Sequence, residues 1–380
     1  MRMGIDARLY TSAFTGIGRY VYELIDNLLK TDKHNEYVLF FNKAGFDEFK
    51  NPRTHDDQSG KGVTKVLVNA AHYSFSEQWR FLKILRSANL DLMHFTHFNA
   101  PIFYRRPSVV TIHDLTLSLY PGKKMNGWLC RLAYHIIIKS IVHRAKKIIA
   151  VSQNTKRDLV KILHADAEKI AIIHEGANKM FHKISDDNII TDFLAKIGLN
   201  RPYILYTGVW RNHKNLVNLI KSFAILKHKY KFTGKLVITG KEDPWYPEVK
   251  QTVSDEHLEG DVRFTGLVPD EDLVLLYNGA TVYVFPSFYE GFGLPALEAF
   301  ACGVPLCAAR SSSLPEICGK AAVFFDPHNP HDMAEKIASI LMDKKKRDSL
   351  IANGYARLKE FSWERMANET LKIYKDVHSS

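Results

Sequence analysis

The chain has 380 residues, of which 46% are hydrophobic and 24% charged, and its formal net charge is +11. This length exceeds a single ordinary domain core and predicts two domains of about 180 residues each. No apolar run approaches the ~20 residues needed to span a bilayer, and the four cysteines form no C-x-x-C pair. We therefore expect a cytoplasmic protein without a membrane span, a disulfide framework or a zinc site.

The positive charge is concentrated in the first half of the chain. Residues 1–178 contain 26 Lys and Arg against 16 Asp and Glu, a net charge of +10, whereas residues 179–380 contain 26 against 25, a net charge of +1. Such a surface attracts an anionic membrane leaflet or nucleic acid. Because no nucleic-acid-binding motif is recognisable, we expect no nucleic acid partner. A basic surface without any partner remains the alternative.

Strand-like and helix-like segments alternate along the first half, which predicts an α/β architecture with a parallel sheet. Apolar residues from Ile17 to Leu29 recur at helical spacing and predict one amphipathic helix. The predicted strands of this half span residues 3–9, 37–41, 65–68, 90–95, 109–113, 148–151 and 170–174.

Two glycines, Gly16 and Gly18, lie between the first predicted strand and its helix. They match a dinucleotide-binding fingerprint poorly, because Val21 occupies the position of the third glycine. A glycine turn at a helix N-terminus still lets the backbone approach a diphosphate closely. A purely structural turn is the alternative.

A His-Asp pair, His113 and Asp114, ends the strand predicted at 109–113. A histidine at a strand end is either structural or catalytic, and Asp114 could orient or charge its imidazole.

Residues 123–147 mix large apolar side chains with basic ones. This composition is typical of a helix on a membrane surface, and also of an ordinary helix packed on a sheet. If the segment meets a membrane, the candidate contacts are Lys123, Lys124, Arg131, Lys146 and Lys147.

The segment Glu175–Asn178, followed by the polar residues 183–188, predicts a domain junction. A second alternating series then begins, with strands predicted at 203–206, 236–239, 262–265, 281–285, 305–308 and 323–325. Each half is Rossmann-like, so a ligand is expected at the carboxyl ends of the strands, in the cleft between the halves.

Two cations, Arg211 and Lys214, lie in a loop that opens a helix after the first strand of the second half. They could neutralise a diphosphate, Arg as a bidentate partner and Lys as a point charge. A solvated loop is the alternative.

Two glutamates, Glu290 and Glu298, stand eight positions apart around a glycine turn. The first follows a predicted strand, and the second lies about one turn into a helix that begins near Leu294. The N-terminus of that helix offers unpaired N–H groups and a positive dipole, which suit a phosphate. Glutamates on either side can accept hydrogen bonds from hydroxyls, so the segment suits a sugar joined to a phosphate and a ribose.

This segment, with its Gly/Pro frame and the following Ser313-Leu-Pro-Glu316, resembles the Glu-x7-Glu signature of family 4 glycosyltransferases. These are retaining, nucleotide-sugar-dependent enzymes with the GT-B fold. The resemblance implies two Rossmann-like domains that face a central cleft. It implies an acceptor-side domain at 1–178, a nucleotide-sugar-binding domain at 179–362, and a final helix, 363–377, that crosses back onto the first domain.

The resemblance also implies roles for the matching residues. Glu290 would hold hydroxyls of the donor sugar, Glu298 the ribose, and the backbone of Phe292, Gly293 and Leu294 the sugar and diphosphate. His113 would lie beside the donor sugar, and Gly16 and Gly18 would serve the donor phosphates or the approach of the acceptor. Many relatives place an arginine where this chain has Val209 or His213, so Lys214 transfers more directly than Arg211.

The segments Gly-Ile-Asp-Ala-Arg-Leu, Thr-Gly-Ile-Gly-Arg-Tyr and Trp-Arg-Asn-His-Lys-Asn are most similar to bacterial mannosyltransferases that use GDP-mannose in polysaccharide assembly. They imply a GDP-mannose donor and a glycan or lipid-linked glycan acceptor, at the inner face of a membrane. A non-catalytic sugar-nucleotide or anionic-surface binding protein is the main alternative, and an NAD-dependent oxidoreductase is disfavoured by the incomplete glycine fingerprint.

One acidic triplet, Asp270-Glu-Asp272, has the form of the metal-binding triplet of another glycosyltransferase fold. Acidic residues at the N-terminus of a helix explain it equally well. We therefore expect no metal and no cofactor beyond the nucleotide-sugar co-substrate.

Overall fold

The computed structural model describes residues 1–11, 16–51, 62–70, 74, 76–123 and 127–379, and it divides into two compact units. The first unit comprises Met1–Ser118, Met125–Gly176 and Ser362–Ser380, and the second comprises Leu119–Lys124 and Ala177–Phe361. The division after Gly176 lies within the segment Glu175–Asn178 that is predicted to be the domain junction. The assignment of residues 119–124 to the second unit is a feature that the sequence pattern does not indicate.

The strands described in the first unit pair in parallel to form one sheet. They are β1 (Arg2–Asp6), β2 (Glu36–Phe41), β3 (Val63–Leu67), β4 (Leu92–Phe95), β5 (Ser108–Ile112), β6 (Lys147–Ala150) and β7 (Ile170–Ile172). Their order is β3-β2-β1-β4-β5-β6-β7. The central strands β4 and β5 are buried at every position, as expected where helices cover both faces of a parallel sheet.

The helices described between these strands include one predicted from its periodicity. They are α1 (Gly16–Thr31), α2 (Lys43–Glu48), α3 (Leu82–Ser87), α4 (Thr116–Leu119), α5 (Trp128–Arg144) and α6 (Gln153–Leu163), and a π-helical turn (Glu77–Phe81) precedes α3. Helix α1 buries Tyr20, Val21, Leu24, Ile25, Leu28 and Leu29, which share one face of the helix.

The second unit contains a second parallel sheet. Its described strands are β8 (Tyr203–Tyr206), β9 (Lys235–Thr239), β10 (Val262–Gly266), β11 (Val282–Phe285), β12 (Leu306–Ala309) and β13 (Ala322–Phe325). They are arranged in the order β10-β9-β8-β11-β12-β13. In each sheet the order reverses beside the unit's first strand, between β1 and β4 and between β8 and β11. Ligands of doubly wound folds bind outside the carboxyl ends of the strands at such a point.

The helices described after the first unit's last strand are α7 (Asp187–Lys196), α8 (Leu216–Tyr230), α9 (Glu248–Asp255), α10 (Asp270–Gly279), α11 (Leu294–Ala301), α12 (Leu314–Cys318), α13 (Pro330–Leu341), α14 (Lys344–Leu358) and α15 (Trp363–Ser379). None of the helices within the described residues is long and apolar enough to cross a membrane.

The last helix, α15, belongs to the first unit and packs against α1. Its Tyr374 hydroxyl lies 2.6 Å from Nδ1 of His94 in β4, and both side chains are fully buried. At the start of α15, a Cβ on Gly176 would lie 2.2 Å from the Trp363 nitrogen. A side chain at Gly176 would therefore displace α15 from the unit.

Candidate active site

Lys214 and Glu290 form an ion pair at the carboxyl edge of the second sheet. Lys214 follows β8 in a 3₁₀ turn, and Glu290 follows β11, which lies next to β8 across the reversal of strand order. The Lys214 ammonium lies 2.7 Å from one carboxylate oxygen of Glu290 and 3.0 Å from the other. Both side chains are more than four-fifths buried. The two residues predicted for donor binding and charge neutralisation are thus brought into contact.

The loop that carries Glu290 is held by three consecutive serines after β12, Ser311–Ser313. The Glu290 backbone N–H donates to Ser312 Oγ at 2.8 Å, and Ser313 Oγ donates to the carbonyls of Glu290 and Phe292 at 3.0 and 2.6 Å. Ser311 Oγ donates to the Ser287 carbonyl at 2.7 Å. The position of Glu290 therefore depends on a segment about twenty residues further along the chain.

Helix α11 begins where the sequence predicts, with Gly293 preceding it at φ +122°. This φ is unfavourable for a residue with a side chain, and a Cβ here would lie 3.1 Å from Leu314 Cδ2. The turn directs the first N–H groups of α11 toward the same edge of the sheet. Glu298 lies in the second turn of α11 and accepts a hydrogen bond from Tyr277 Oη at 2.9 Å.

The loop after β8 is also fixed from both sides. Asn215 adopts a left-handed conformation (φ +60°), and its side-chain amide donates to the carbonyls of Pro286 and Pro327 at 2.9 and 2.8 Å. The Phe288 N–H donates to the His213 carbonyl at 2.7 Å, which joins the two loops. Arg211 is exposed. Burial, together with the charges of Lys214 and Arg211, lowers the pKa of His213 far below its ordinary value, so His213 is neutral.

In the first unit, His113 follows β5 and is held by hydrogen bonds on both ring nitrogens. Nδ1 lies 3.0 Å from Glu175 Oε1, and Nε2 lies 3.0 Å from the Thr96 carbonyl. The carboxylate against the imidazole is therefore that of Glu175, and the suggested pairing with Asp114 is wrong. The Asp114 carboxylate accepts instead from the Thr116 N–H at 2.7 Å, within a local turn.

The two glycines near the first strand form the beginning of α1. Gly16 is exposed at the first position of the helix, and Gly18 is buried within its first turn. Thr15, which precedes them, lies outside the described residues.

A buried ion cluster occupies the carboxyl end of β1. The Arg8 guanidinium, which has no exposed surface, donates to the Asp6 carboxylate at 2.7 and 2.8 Å and also binds Glu77. It donates further to the Asn99 carbonyl at 3.2 Å, after β4. The Asp-Ala-Arg segment near the N-terminus thus orders the loops at this edge of the first sheet.

The acidic triplet Asp270, Glu271 and Asp272 forms the first turn of α10, where negative charge stabilises a helix. In the part of the chain that the structure describes, no group of three or more His, Cys, Asp and Glu residues is arranged to hold a metal ion.

Helix α5 has two apolar faces. Tyr134, Ile138, Ile141 and Val142 are buried against the first unit's core. On the opposite side, Trp128, Leu129, Leu132 and Ile136 are 70%, 61%, 48% and 50% exposed. At 3.6 residues per turn these four side chains fall within an arc of about 100°.

The basic residues predicted near α5 differ in their surroundings. Lys123 pairs with Glu248 at 3.1 Å and belongs to the second unit, whereas the sequence placed it in the first domain. Lys147 donates to the Glu168 carbonyl at 3.0 Å, whereas Arg131 and Lys146 are exposed. Lys124 lies outside the described residues.

Three features of the site have no clear signal in the sequence: the serines that hold Glu290, the contact of Tyr277 with Glu298, and the contact of Glu175 with His113. Each joins residues 21 to 62 positions apart. Of the three serines, only Ser313 stands in a segment that the sequence singles out, Ser313-Leu-Pro-Glu316, and that segment does not indicate its contact with the Glu290 loop.

Two family models match adjacent parts of the chain. The model described as Glycosyltransferase Family 4 matches residues 14–179, and the model described as Glycosyl transferases group 1 matches residues 191–357. The O-antigen chain mannosyltransferase B of Escherichia coli is 30% identical over 373 residues, which cover 95% of this chain and 96% of that protein. The O-antigen chain mannosyltransferase RfbU of Salmonella typhimurium is 26% identical over 317 residues, which cover 83% and 82%.

The structure is also similar to that of sucrose-phosphate synthase from Thermosynechococcus elongatus, with a TM-score of 0.77 and 20% identity over 100% of this chain and 99% of that one. This similarity concerns the fold, and it confirms the predicted pair of Rossmann-like parallel-sheet domains. The matches favour neither the binding-protein nor the oxidoreductase alternative. The chain is therefore a hexosyltransferase that belongs to glycosyltransferase family 4, whose members have the GT-B fold.

Proposed function

We propose that the protein transfers mannose from GDP-mannose to a hydroxyl of a glycan or lipid-linked glycan, with retention of the anomeric configuration. Both the Escherichia coli and the Salmonella relatives are O-antigen chain mannosyltransferases, and the first matches nearly the whole chain. The observation that carries the proposal is the partly buried pair of Lys214 and Glu290 beside the N-terminus of α11.

The donor is assigned to the carboxyl edge of the second sheet. Glu290 accepts hydrogen bonds from the hexose hydroxyls, since a carboxylate that already binds an ammonium retains acceptor capacity. Glu298 accepts from the ribose, and the Phe292, Gly293 and Leu294 backbone meets the diphosphate at the helix N-terminus. Lys214, which pairs with Glu290, contributes positive charge beside it.

The remaining assignments complete this proposal. Arg211, exposed at the same loop, provides a second cation for the diphosphate. The family resemblance assigns His113, held by Glu175 and Thr96, to the donor sugar. It assigns Gly16 and Gly18, at the start of α1, to the donor phosphates or the acceptor.

The chemistry follows from the charge that develops on the leaving diphosphate. An oxocarbenium-like transition state is stabilised where Lys214, Arg211 and the dipole of α11 meet that charge, and one such hydrogen-bond donor contributes roughly 10²–10³ in rate. We propose attack from the face that the diphosphate leaves. The acceptor hydroxyl forms a bond to the anomeric carbon, the carbon–phosphate oxygen bond breaks, and a phosphate oxygen takes the hydroxyl proton.

We further propose that the first unit docks reversibly on the anionic cytoplasmic face of a membrane through the exposed apolar face of α5. No Asp or Glu occurs from residue 115 to residue 157. Exposed Arg131 and Lys139 flank the four apolar side chains on the same helix. Such a surface combines insertion of apolar groups with attraction to anionic lipids.

Thermal unfolding in the presence of GDP-mannose, UDP-glucose, ADP-glucose and dTDP-glucose tests the donor assignment. A ligand at 100 times its Kd stabilises the folded protein by about 2.7 kcal/mol, so the preferred donor gives the largest shift of Tm. We expect GDP-mannose to give it. Free GDP should then be released when a mannose-terminated glycan is added. Binding without release in the presence of acceptor would favour a non-catalytic binding protein.

A further inference from the structure

Tyr277 of α10 connects two parts of the proposed donor site. Its hydroxyl donates to Glu298 Oε2 at 2.9 Å and lies 2.9 Å from Thr207 Oγ1, at the carboxyl end of β8. Thr207 Oγ1 also lies 3.0 Å from the Tyr283 hydroxyl. The side chain of Tyr277 is fully buried. Hydrogen bonds of the Tyr277 hydroxyl thus link the Glu298 carboxylate to Thr207 at the end of β8.

The hydrogen bond from Tyr277 has a fixed direction. Burial, followed by the negative charge of Glu298, raises the pKa of Tyr277 well above its ordinary value. The phenol therefore stays protonated at neutral pH and remains a donor to the carboxylate. A hydrogen bond to a charged acceptor is worth more than one between neutral groups.

We infer that Tyr277 is a positioning residue that sets the orientation of the Glu298 carboxylate for the ribose hydroxyls of the nucleotide. This inference rests on the proposed role of Glu298. A carboxylate in α11 has several rotamers, and the bond from Tyr277 selects the one in which Oε2 faces the sheet. The remaining acceptor sites of the carboxylate then have a defined direction, which favours a nucleotide with ribose hydroxyls over one without them.

A purely structural role makes a different prediction. The Tyr277 ring packs against Phe181 and Tyr283, at centroid distances of 5.6 and 5.2 Å. These contacts survive in Tyr277→Phe, which removes the hydroxyl alone. If packing were the whole role, Tyr277→Phe would change the affinity for nucleotides with and without ribose hydroxyls by the same factor.

The test measures Kd by calorimetry for GDP, UDP and their 2′,3′-dideoxy analogues in the full-length protein. We expect Tyr277→Phe to weaken binding of the preferred ribonucleotide about tenfold and to leave binding of its dideoxy analogue unchanged. Thr207→Val removes the hydroxyl that is hydrogen-bonded to Tyr277. It should also weaken binding of the ribonucleotide, by a smaller factor. Tyr203→Phe is the matched control, since its buried hydroxyl donates to the Leu276 carbonyl at 2.6 Å.

A fourth variant, Glu298→Gln, separates this inference from the proposed function. If Glu298→Gln reduces the preference for the ribonucleotide and Tyr277→Phe does not, the positioning role is refuted and the role of Glu298 stands. If Glu298→Gln leaves the preference unchanged, or the wild type binds no ribonucleotide, the proposed ribose site itself is refuted. An equal loss with Tyr203→Phe would show a general effect of removing a buried hydroxyl.

Discussion

The Lys214 ammonium and the Glu290 carboxylate neutralise each other in a place where both side chains are mostly buried. Removing one partner of such a pair leaves the other charge with less compensation. Glu290 and Lys214 are also the residues to which the proposal assigns hexose hydroxyls and phosphate charge. Replacing Glu290 with Gln keeps a hydrogen-bond acceptor for Lys214 and leaves the backbone hydrogen bonds of the loop intact, so it should affect catalysis far more than folding.

We predict that Glu290→Gln lowers turnover of the preferred donor by at least about 10², the usual effect of losing a preorganised polar contact in the transition state. The Tm should change little. Steady-state transfer assays and thermal unfolding of the purified variant measure both quantities. Glu335→Gln, on an exposed part of α13, is the matched control and should retain full activity. Wild-type turnover in a folded Glu290→Gln protein would remove Glu290 from the mechanism.

The sequence predicted the residues of the proposed site but not the contacts that hold them in place. Glu290, Glu298 and Lys214 lie in recognisable local segments. The partner of His113 could not be predicted, because Asp114 is adjacent in sequence and Glu175 is 62 residues away. The Asp114 carboxylate accepts a hydrogen bond from the Thr116 backbone N–H. Such a local hydrogen bond competes with contacts to residues that are distant in sequence.

Helix α11 depends on the unusual backbone conformation of Gly293. We predict that Gly293→Ala destabilises the protein by about 1–3 kcal/mol and lowers turnover by about 10², because the helix N-terminus and its amides shift relative to the donor. Chemical denaturation and transfer assays measure the two effects. Gly198→Ala is the control. Gly198 also has a positive φ (+66°), so an alanine there should lower stability, but its methyl group would contact nothing and activity should persist. Unchanged turnover in Gly293→Ala would contradict the assignment of this helix end to the diphosphate.

The attachment of α15 to β4 should depend on pH. Burial, and next the charge of His113, lower the pKa of His94 to about 3. The unfolded chain binds a proton at His94 below about pH 6.5 and the folded chain does not, so stability is present above that pH and is lost as the pH falls toward 3.

Between pH 7 and pH 5 this residue should account for a loss of about 2 kcal/mol in the free energy of unfolding, at about 1.4 kcal/mol per pH unit. We predict that His94→Gln is less stable than the wild type at pH 7. Between pH 7 and pH 5, its free energy of unfolding should fall by about 2 kcal/mol less than that of the wild type. Urea denaturation at both pH values measures the difference. His378→Gln, on the exposed side of α15, should behave as the wild type does. Equal pH dependence in His94→Gln and the wild type would show that His94 is protonated in the folded protein.

The elements themselves were largely predictable from the sequence. Every strand in the described residues overlaps a predicted one, because buried parallel strands are continuous apolar runs between turn residues. The bounds differ most at β1, predicted to reach residue 9 and observed to end at Asp6. There the chain turns so that Arg8 can bind Asp6 and Glu77, and an ion cluster of this kind leaves no trace in the local apolar pattern.

At the scale of the whole molecule, the uneven charge and the exposed apolar face of α5 predict attachment to an anionic membrane. We predict that the full-length protein sediments with vesicles that contain phosphatidylglycerol and not with phosphatidylcholine vesicles, and that binding falls as salt rises, since exposed charges are screened over ~8 Å at physiological ionic strength. Trp128→Ser with Leu132→Ser should weaken binding, and Trp245→Ser, at an exposed tryptophan of the second unit, should not. Sedimentation with both kinds of vesicle, or with neither, would favour a soluble acceptor.

The charge of the leaving diphosphate leads to a further prediction for the whole enzyme. Because Lys214, Arg211 and α11 supply positive charge at the proposed site, and Asp270–Asp272 serve as the first turn of α10, transfer should persist in excess EDTA. A transfer assay with and without EDTA measures this. Loss of turnover that Mg²⁺ or Mn²⁺ restores would show that a metal ion performs the neutralisation.

The return of the chain to the first unit at Ser362 has a consequence for biosynthesis. The ribosome synthesises residues 1–176 well before α15, so α1 and His94 emerge without the helix that covers them. Most of the second unit, residues 177–361, is contiguous and is synthesised before α15. Of the two units, the one that is translated first is therefore the one that is completed last.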